Sequence, residues 1–323
     1  MIILTGAAGF IGSCILAKLN ERGYNDIIIV DHFEGEGDEK KLNLQGKRYA
    51  RFYDKSEFID LIQKNKLEGE VSCVIHMGAC SSTTLQDEAY YLKNNFEFSR
   101  ILAQWSLAYQ ARFIYASSAA TYGDGAHGYK DDEAIIRRCK PLNFYGESKQ
   151  KFDLWILDQL LANKVVGLKF FNVFGPNEYH KGDMRSVVAK AYERAAQEGK
   201  IVLFKSHVPE YADGEQRRDF IYVKDVVGVV MYFFDNPQIN GIYNVGSGQA
   251  RSWNDLAKAL FKAIGRKPSI EYVEMPAILK ARYQNFTEAD IAKLRNSGYR
   301  KPFTSLEDAV SDYVSYLKDK RYL

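Results

Sequence analysis

The feature that most constrains this chain is a loop with three glycines, Gly6, Gly9 and Gly12, set between an apolar segment and a helical pattern. The segment before it, Ile2–Thr5, suits a short buried strand, and Phe10–Arg22 carries apolar residues at helical spacing. Glycines permit a tight turn and let a pyrophosphate approach the backbone, with its negative charge at the N-terminus of the helix. A strand, a glycine loop and a helix in this order predict a dinucleotide-binding site.

Asp31 agrees with that prediction, because it ends the next apolar run, Ile27–Val30, and lies 19 residues beyond Gly12. An acidic residue about 20 positions beyond the loop hydrogen-bonds an adenosine ribose and favours NAD. A 2′-phosphate would meet a like charge there unless cations compensate, and Lys40, Lys41 and Lys55 follow closely enough along the chain to do so. These residues alone leave the choice between NAD and NADP open.

Short apolar runs alternate with helical patterns through the first half of the chain. The further runs are Val71–His76, Phe113–Ala116 and Val165–Phe171, and the helical patterns lie near Lys55–Lys64, Ala89–Tyr109 and Tyr145–Leu161. Continuous apolar runs are typical of strands that are buried on both faces, as in a parallel sheet. The sequence therefore predicts an α/β fold, a Rossmann-type doubly wound parallel sheet.

The rhythm changes after Pro176, where we predict a smaller mixed α/β lobe that binds the substrate. Its helices are expected near Ser186–Glu198, Ser252–Ile264, Glu288–Ser297 and Thr304–Leu317, with capping boxes at Thr287 and Asp290 and at Thr304 and Glu307. The run Gly241–Val245 suits one more core strand. The length of 323 residues favours about two domains. We place the dinucleotide-binding domain over 1–171, with a return of 220–246, and the substrate lobe mainly over 172–323.

Composition excludes several classes of partner. The 44 Lys and Arg against 41 Asp and Glu leave a net charge of only +3, which gives no reason to expect nucleic acid or a membrane surface. The four cysteines form no Cys-x-x-Cys pair and do not have the spacing of zinc ligands, so we expect no metal site. We expect the cysteines to be the reduced thiols of a cytoplasmic protein. We expect no signal peptide and no membrane span, since no apolar run approaches about 20 residues.

A second motif suits proton chemistry. Tyr145 and Lys149 are four residues apart, so they share one face of a predicted helix. A phenol has a pKa near about 10, which a neighbouring ammonium lowers. The tyrosine could then take an alcohol proton while hydride leaves the same carbon. The spacing alone is common on helix surfaces, but Ser117 and Ser118 follow the fourth predicted strand, at the sheet edge where ligands bind. Ser118 could donate to the substrate oxygen, and the combination predicts a hydride-transfer enzyme.

Longer segments of the chain resemble the extended short-chain dehydrogenase/reductase family, whose members act largely on nucleotide sugars. These segments are Gly78–Thr84, Tyr115–Gly123, Pro141–Gly146, Phe171–Pro176, His180–Gly182 and Arg282–Gln284. Within the family they look like the heptose 6-epimerases, and the likeness covers nearly the whole chain. The glycine loop and the Tyr-x-x-x-Lys pair are shared by many relatives. The segments Gly78–Thr84 and His180–Gly182 are more specific.

That resemblance implies the inversion of carbon 6 of ADP-D-glycero-D-manno-heptose, a step of lipopolysaccharide precursor synthesis in the cytoplasm of a Gram-negative bacterium. It implies tightly held NADP, with NAD as the alternative, and Lys40 and Lys55 as the cations that match it. It also implies a homo-oligomer, typically a pentamer, with a small nucleotide sugar as the partner molecule.

The resemblance further implies the role of individual residues. Tyr145 would be the acid–base residue, Lys181 a second proton donor, and Lys149 and Ser118 would assist them. The cofactor would contact Gly6, Gly9, Phe10, Ile11, Gly12, Asp31, His32, Lys40, Lys55, Met77, Gly78, Ala79, Cys80, Ser81, Asn94, Lys149, Val173 and Lys181. The substrate would contact Ser118, Asn172, Asp183, Lys190, Phe204, Arg218 and Tyr283. Arg217 and Arg218 are adjacent, so their roles could be exchanged. Substrate contacts within Ser206–Gln216 stay open, because this loop is longer than is usual in the family.

Other functions share parts of this pattern. A nucleotide-sugar epimerase that acts at ring carbon 4, such as a UDP-glucose 4-epimerase, has the same first two motifs. A 4,6-dehydratase carries an Asp-Glu pair where this chain has Ser118 and Ala119, and a net reductase would consume NADPH stoichiometrically. A dinucleotide-sensing regulator could use the same fold but would need no Tyr-x-x-x-Lys pair, and fold alone does not decide among these functions.

Overall fold

The computed structural model describes residues 1–82, 85–280 and 283–323. Its first half comprises β1 (Ile2–Thr5), α1 (Phe10–Glu21), β2 (Ile27–Asp31), β3 (Arg51–Asp54), α2 (Lys55–Gln63), β4 (Cys73–His76), α3 (Glu88–Tyr91), α4 (Phe98–Ala108), β5 (Arg112–Ser118), α5 (Glu133–Arg138), α6 (Phe144–Asp158) and β6 (Val165–Phe170). The second half comprises β7 (Asn172–Phe174), α7 (Val187–Gln197), β8 (Ile201–Phe204), β9 (Arg217–Tyr222), α8 (Val223–Asp235), β10 (Gly241–Val245), β11 (Ala250–Ser252), α9 (Trp253–Ala263), β12 (Ile270–Val273), α10 (Ala277–Lys280), α11 (Ala292–Asn296) and α12 (Leu306–Asp319).

The central element is a seven-stranded sheet in the order β10-β6-β5-β4-β1-β2-β3, in which each neighbouring pair runs parallel. Every residue of β1, β4 and β6 is buried, as continuous apolar strands covered by helices require. The predicted Rossmann-type α/β fold is therefore confirmed. Because all strands run in one direction, their carboxyl ends lie along a single edge of the sheet.

Two parts of the first half differ from the sequence prediction. The short strand β3 at the sheet edge was missed, because two of its four residues are exposed and no apolar run marks it. Because of this additional strand, β5 is the fifth strand along the chain rather than the predicted fourth. The strand β5 is also longer than predicted and ends at Ser118. The helix predicted over Ala89–Tyr109 is interrupted by a π-helical turn at Leu92–Glu97.

The second half adds a three-stranded sheet, β11-β9-β7, and a parallel pair, β12-β8. The chain also returns to the central sheet, where β10 pairs with β6. One apolar core joins the two parts, since Leu16 of α1, Val226 of α8, Leu260 of α9 and Tyr313 of α12 belong to one buried cluster. The proposed division at residue 171 stays a prediction.

The predicted helix over Glu288–Ser297 is wrong in its first half. The Thr287 hydroxyl accepts a hydrogen bond from the Asp219 amide instead of capping a helix, and the Ala289 amide donates to the Asp219 carboxylate. These bonds hold the segment in an extended path, so α11 starts only at Ala292, where the Asp290 carboxylate accepts from its amide. The predicted cap at Thr304 is also wrong, because the N-cap of α12 is Ser305.

Among the described residues no helix has the length and apolar character that crossing a membrane requires.

We expect Ser305→Ala to lower the free energy of unfolding by about 1 kcal/mol, because the Asp308 amide loses the hydroxyl that caps α12. Thr304→Ala is the matched control next to it, and its effect should be clearly smaller. Denaturant unfolding followed by circular dichroism measures both changes. Equal losses would contradict the assignment of the cap to Ser305.

Candidate active site

The carboxyl edge of the central sheet opens into two cavities of about 780 and 650 Å³. The first is lined by the glycine loop, by the ends of β5 and β6 and by α6, and the second by the ends of β1 and β2 and the segment that follows β2. Both are lined by Gly6, Asp31, Lys40, Gly78 and His180. Both volumes lie in the range of small-molecule and cofactor sites.

The glycine loop leaves no space for side chains between strand and helix. Gly6 has a φ of +66°, and a Cβ placed there would lie 2.6 Å from the Gly78 nitrogen. A Cβ on Gly12 would lie 2.0 Å from the Gly6 carbonyl oxygen. The loop therefore lies directly on the sheet, and the first turn of α1, where amide groups lack helical partners, lines the first cavity. This arrangement fits the pyrophosphate of a dinucleotide.

The second cavity carries paired charges. The Asp31 carboxylate accepts hydrogen bonds from the Ala8 amide at 2.8 Å and from Lys40 Nζ at 2.9 Å. Lys55 Nζ donates to Asn94 Oδ1 at 2.9 Å, and His32 Nδ1 lies 2.7 Å from Asp54 Oδ2. The lysine on Asp31 offsets the charge that would otherwise oppose an added phosphate.

The π-helical turn at Leu92–Glu97 points two consecutive asparagines to different partners. Asn94 contacts Lys55 at the second cavity. Asn95 is buried, accepts from the Cys80 amide at 2.8 Å, and donates to the Cys80 carbonyl and to Ser148 Oγ on α6. The turn thereby ties the segment after β4 to the helix that carries Tyr145.

Tyr145, Lys149 and Ser118 meet at the floor of the first cavity. The Asn143 side chain caps α6 by accepting from the Gly146 amide, so Tyr145 lies in the first turn. The Tyr145 and Ser118 side chains are hydrogen-bonded, and Lys149 Nζ donates to the Ala116 carbonyl at 2.7 Å. The sequence-predicted cluster is thus brought together by α6 and the end of β5.

Burial controls the titration of these groups. It raises the pKa of Tyr145, while the hydrogen bond with Ser118 acts in the opposite direction. Burial also lowers the pKa of Lys149 to about 8, opposed by the Asp153 carboxylate. The sequence predicts that Lys149 lowers the pKa of Tyr145; in the structure that pKa is raised, because loss of solvent outweighs other influences on the phenol.

Lys181 also lines the first cavity. It belongs to a 3₁₀ segment, Tyr179–Met184, and its Nζ lies 5.2 Å from the centre of the Phe10 ring. Burial lowers its pKa, and the Glu178 carboxylate opposes that shift. A lysine in such surroundings can give up a proton more readily than an exposed one.

The residues predicted to bind the cofactor line one or both cavities. The first cavity contains Gly6, Gly9, Phe10, Ile11, Gly12, Asp31, Lys40, Met77, Gly78, Ala79, Ser81, Lys149, Val173 and Lys181, and the second contains Asp31, His32, Lys40, Lys55, Gly78, Ala79, Cys80 and Asn94. Thr83, Thr84 and Arg282, which belong to segments that carry the family resemblance, lie outside the described residues.

The predicted substrate residues are more scattered. Ser118 and Asn172 line the first cavity, whereas Asp183, Lys190, Phe204, Arg218 and Tyr283 are not among its described lining residues. Lys190 is exposed and donates to the carbonyl of Asp183. The role of these five in substrate binding stays a prediction.

Arg218 nevertheless lies close to the cavity, in an aromatic setting. Its guanidinium is 4.9 Å from the centre of the Tyr283 ring and 5.7 Å from that of Trp253. Trp253 lines the first cavity and donates its indole N–H to the Tyr283 hydroxyl at 2.8 Å. Arg218 is 6% exposed, and a buried guanidinium of this kind suits a bidentate anion.

Comparison with known proteins adds to this geometry. The model of the NAD dependent epimerase/dehydratase family matches residues 2–246. The chain belongs to this family. An ADP-L-glycero-D-manno-heptose-6-epimerase of Nitratidesulfovibrio vulgaris is 52% identical over 314 residues, with 97% of each chain covered. One of Fusobacterium nucleatum is 45% identical over 334 residues, which cover both chains completely. The crystal structure of the Helicobacter pylori enzyme of that name has a TM-score of 0.80 at 27% identity, covering 98% of this chain and 96% of that one.

The chain is therefore an epimerase, and its cavities fit the nicotinamide dinucleotide on which this family depends. Some residues that line the first cavity were not predicted from the sequence as site residues, among them His180, Phe171 and Trp253. His180 stands beside Lys181 in a segment that carries the resemblance, so its position was a usable signal. Trp253 opens a helix far along the chain, and no local pattern marks it. Within the described ranges, no cluster of His, Cys, Asp or Glu is suited to hold a metal ion.

We expect Gly12→Ala to weaken dinucleotide binding by this epimerase about tenfold or more and to lower its melting temperature, because the new methyl group would collide with the Gly6 carbonyl. Gly37→Ala is the matched control: Gly37 lines the second cavity, yet a Cβ there meets no atom within 4 Å. Fluorescence titration and thermal unfolding measure the two effects. Unchanged binding by Gly12→Ala would show that the loop does not hold the dinucleotide.

Proposed function

We propose that this epimerase inverts carbon 6 of ADP-D-glycero-D-manno-heptose by transient oxidation and re-reduction of that carbon. The observation that carries the proposal is the Tyr145, Ser118 and Lys149 cluster in a cavity that the glycine loop also lines. The names of full-length relatives at 45% and 52% identity support the choice of substrate. The nicotinamide dinucleotide, when bound, supplies the hydride acceptor and donor.

Tyr145 takes the proton of the 6-hydroxyl group as carbon 6 is oxidised to a ketone. Ser118, hydrogen-bonded to Tyr145, orients the reacting oxygen. Lys149 lies one turn away on the same helix face and lines the same cavity, where it would assist Tyr145 and contact the dinucleotide. Proton transfer by a positioned side chain contributes about 10²- to 10⁴-fold to a rate.

Inversion requires the ketone to present its other face. Carbon 6 lies outside the sugar ring, so rotation about one exocyclic bond exchanges the faces and moves the carbonyl oxygen. A second proton donor is then useful at the new oxygen position, and Lys181 is assigned that role from across the cavity. The product regains one proton and one hydride, so the reaction has no net oxidation.

The nucleotide end of the substrate would be held near Arg218. Its buried guanidinium can bind two oxygens of a diphosphate, and Trp253 and Tyr283 offer aromatic faces beside it. Asn172 would contact the sugar, because it lines the cavity next to the end of β6. Asp183, Lys190 and Phe204 are proposed as further substrate contacts.

NADP is the proposed form of the dinucleotide, with NAD as the alternative. Lys40 and Lys55 both line the second cavity, where a 2′-phosphate would lie close to Asp31. We further propose that the protein acts in the cytoplasm, in lipopolysaccharide precursor synthesis, and that it forms a homo-oligomer, a pentamer by its resemblance.

The test is to incubate the purified protein with ADP-D-glycero-D-manno-heptose in deuterium oxide and to separate the two epimers. We expect conversion without deuterium at carbon 6, because the hydride does not exchange with solvent, and we expect no turnover of UDP-glucose. Tyr145→Phe should retain the dinucleotide but lose about 10²- to 10⁴-fold in kcat. Stoichiometric deuterium at carbon 6 would instead indicate deprotonation of carbon, and near-normal rates of Tyr145→Phe would exclude its acid–base role.

Lys40→Ala should weaken NADP binding about tenfold and affect NAD much less, because a charge-assisted hydrogen bond to the extra phosphate is lost. Lys41→Ala is the matched control, since Lys41 is the next residue and its Nζ donates to the Glu36 carbonyl. Titration of both dinucleotides against each variant measures the ratio of dissociation constants. An equal loss for NAD and NADP would argue against a 2′-phosphate contact at Lys40.

A further inference from the structure

A second charged cluster lies behind the floor of the first cavity. Asp153 of α6 and Lys169 of β6 are completely buried, with 0% of each residue exposed. Lys169 Nζ lies 2.6 Å from Asp153 Oδ2. Neither residue is among the described lining of the two cavities, so the reaction assigned above makes no direct use of them.

Hydrogen bonds connect this pair to the backbone that carries Ser118. Asp153 accepts from Ser117 Oγ at 2.6 Å and from the Tyr115 hydroxyl at 2.9 Å, both on β5. Lys169 donates to Thr121 Oγ1 at 2.8 Å, and the Thr121 hydroxyl donates to the Ser118 carbonyl at 2.7 Å. The pair therefore joins the end of β5, the turn after it, α6 and β6.

Helix geometry places Asp153 behind Lys149. Tyr145, Lys149 and Asp153 follow one another at intervals of four residues, so all three lie on one face of α6. The charged and titratable groups around Lys149 are Asp153 and Tyr145 on its own helix, His76 on β4 and, beyond Asp153, Lys169 on β6. His76 is held as the neutral form by burial, which lowers its pKa to about 3. Asp153 is therefore the carboxylate one helical turn from Lys149, and it is itself paired with Lys169.

Stability alone gives little reason for such a pair. Removing two charges from water costs free energy that their attraction regains only in part, and apolar side chains of similar volume often serve equally well. A buried carboxylate that is fully hydrogen-bonded does, however, fix the position of every group that donates to it. The groups fixed here belong to the segments that carry Ser118 and Lys149.

We propose that Asp153 is a positioning residue for Lys149 and Ser118: it supplies the negative charge that keeps Lys149 in its ammonium form, and with Lys169 it fixes the end of β5 against α6. The inference rests on the proposed function for the chemistry that Lys149 assists. Its test uses the protonation of Lys149 itself, which can be measured whether or not the substrate is turned over.

Asp153→Asn keeps the size of the side chain and removes its charge. Competitive labelling of Lys149 with acetic anhydride across a pH range, quantified by mass spectrometry, should place its titration about one pH unit below that of the unaltered protein. The sign follows because a carboxylate favours the ammonium form. The alkaline limb of kcat should move to lower pH by the same amount, with kcat at neutral pH reduced about tenfold.

Tyr115→Phe is the matched control, because it removes one hydrogen bond from the same carboxylate and leaves its charge. Tyr115→Phe should leave the pKa of Lys149 unchanged. If Asp153→Asn is too unstable to study, Asp153→Asn combined with Lys169→Met avoids an unpaired buried ammonium. The Lys149 titration should then shift in the same direction but by less, because a positive charge is removed as well. The proposal would be overturned if the pKa of Lys149 is unchanged in the charge-removing variant that folds. It would also be overturned if Tyr115→Phe shifts that pKa as much as Asp153→Asn does. Absence of epimerisation by the unaltered protein would overturn the proposed function instead.

Discussion

The close approach of two backbone segments, at Gly6 and Gly78, is the constraint on which both cavities depend. No side chain fits between them, since a Cβ on Gly6 would lie within 2.6 Å of the Gly78 nitrogen. The loop after β1 therefore rests on the segment after β4, and α1 starts at the sheet edge. This leaves the first turn of the helix free to face a ligand and brings Asp31 within reach of the Ala8 amide. The other residues that line the two cavities lie around the contact between Gly6 and Gly78.

The groups assigned to proton chemistry share one electrostatic setting. Burial moves the phenol of Tyr145 and the amines of Lys149 and Lys181 toward their neutral forms. In each case a single neighbour opposes that trend: Ser118 for Tyr145, Asp153 for Lys149 and Glu178 for Lys181. Each of the three groups therefore has one neighbour that acts against the effect of burial. Such groups change protonation readily when a substrate alters their surroundings.

The sequence predicted the parallel sheet and the glycine loop well because both depend on local patterns. The apolar runs and the spacing from Gly12 to Asp31 are legible without any tertiary contact. The strand at Arg51–Asp54 could not be recognised in this way, since it is a half-exposed edge strand. The helix cap at Ser305 was missed because the neighbouring Thr304 fits a capping box with Glu307 equally well. The raised pKa of Tyr145 and the place of Trp253 arise only from long-range packing, which no local pattern encodes.

The π-helical turn at Leu92–Glu97 shows how one extra residue can serve two sides of a site. A regular α-helix turns about 100° per residue, so neighbouring side chains cannot both be aimed freely. The wider turn sends Asn94 to Lys55 and Asn95 to Cys80 and Ser148. A chain shortened by one residue here would revert to ordinary α-helical winding and could satisfy only one of these demands. The length of this segment is therefore restrained by two contacts at once, one on each side of the site.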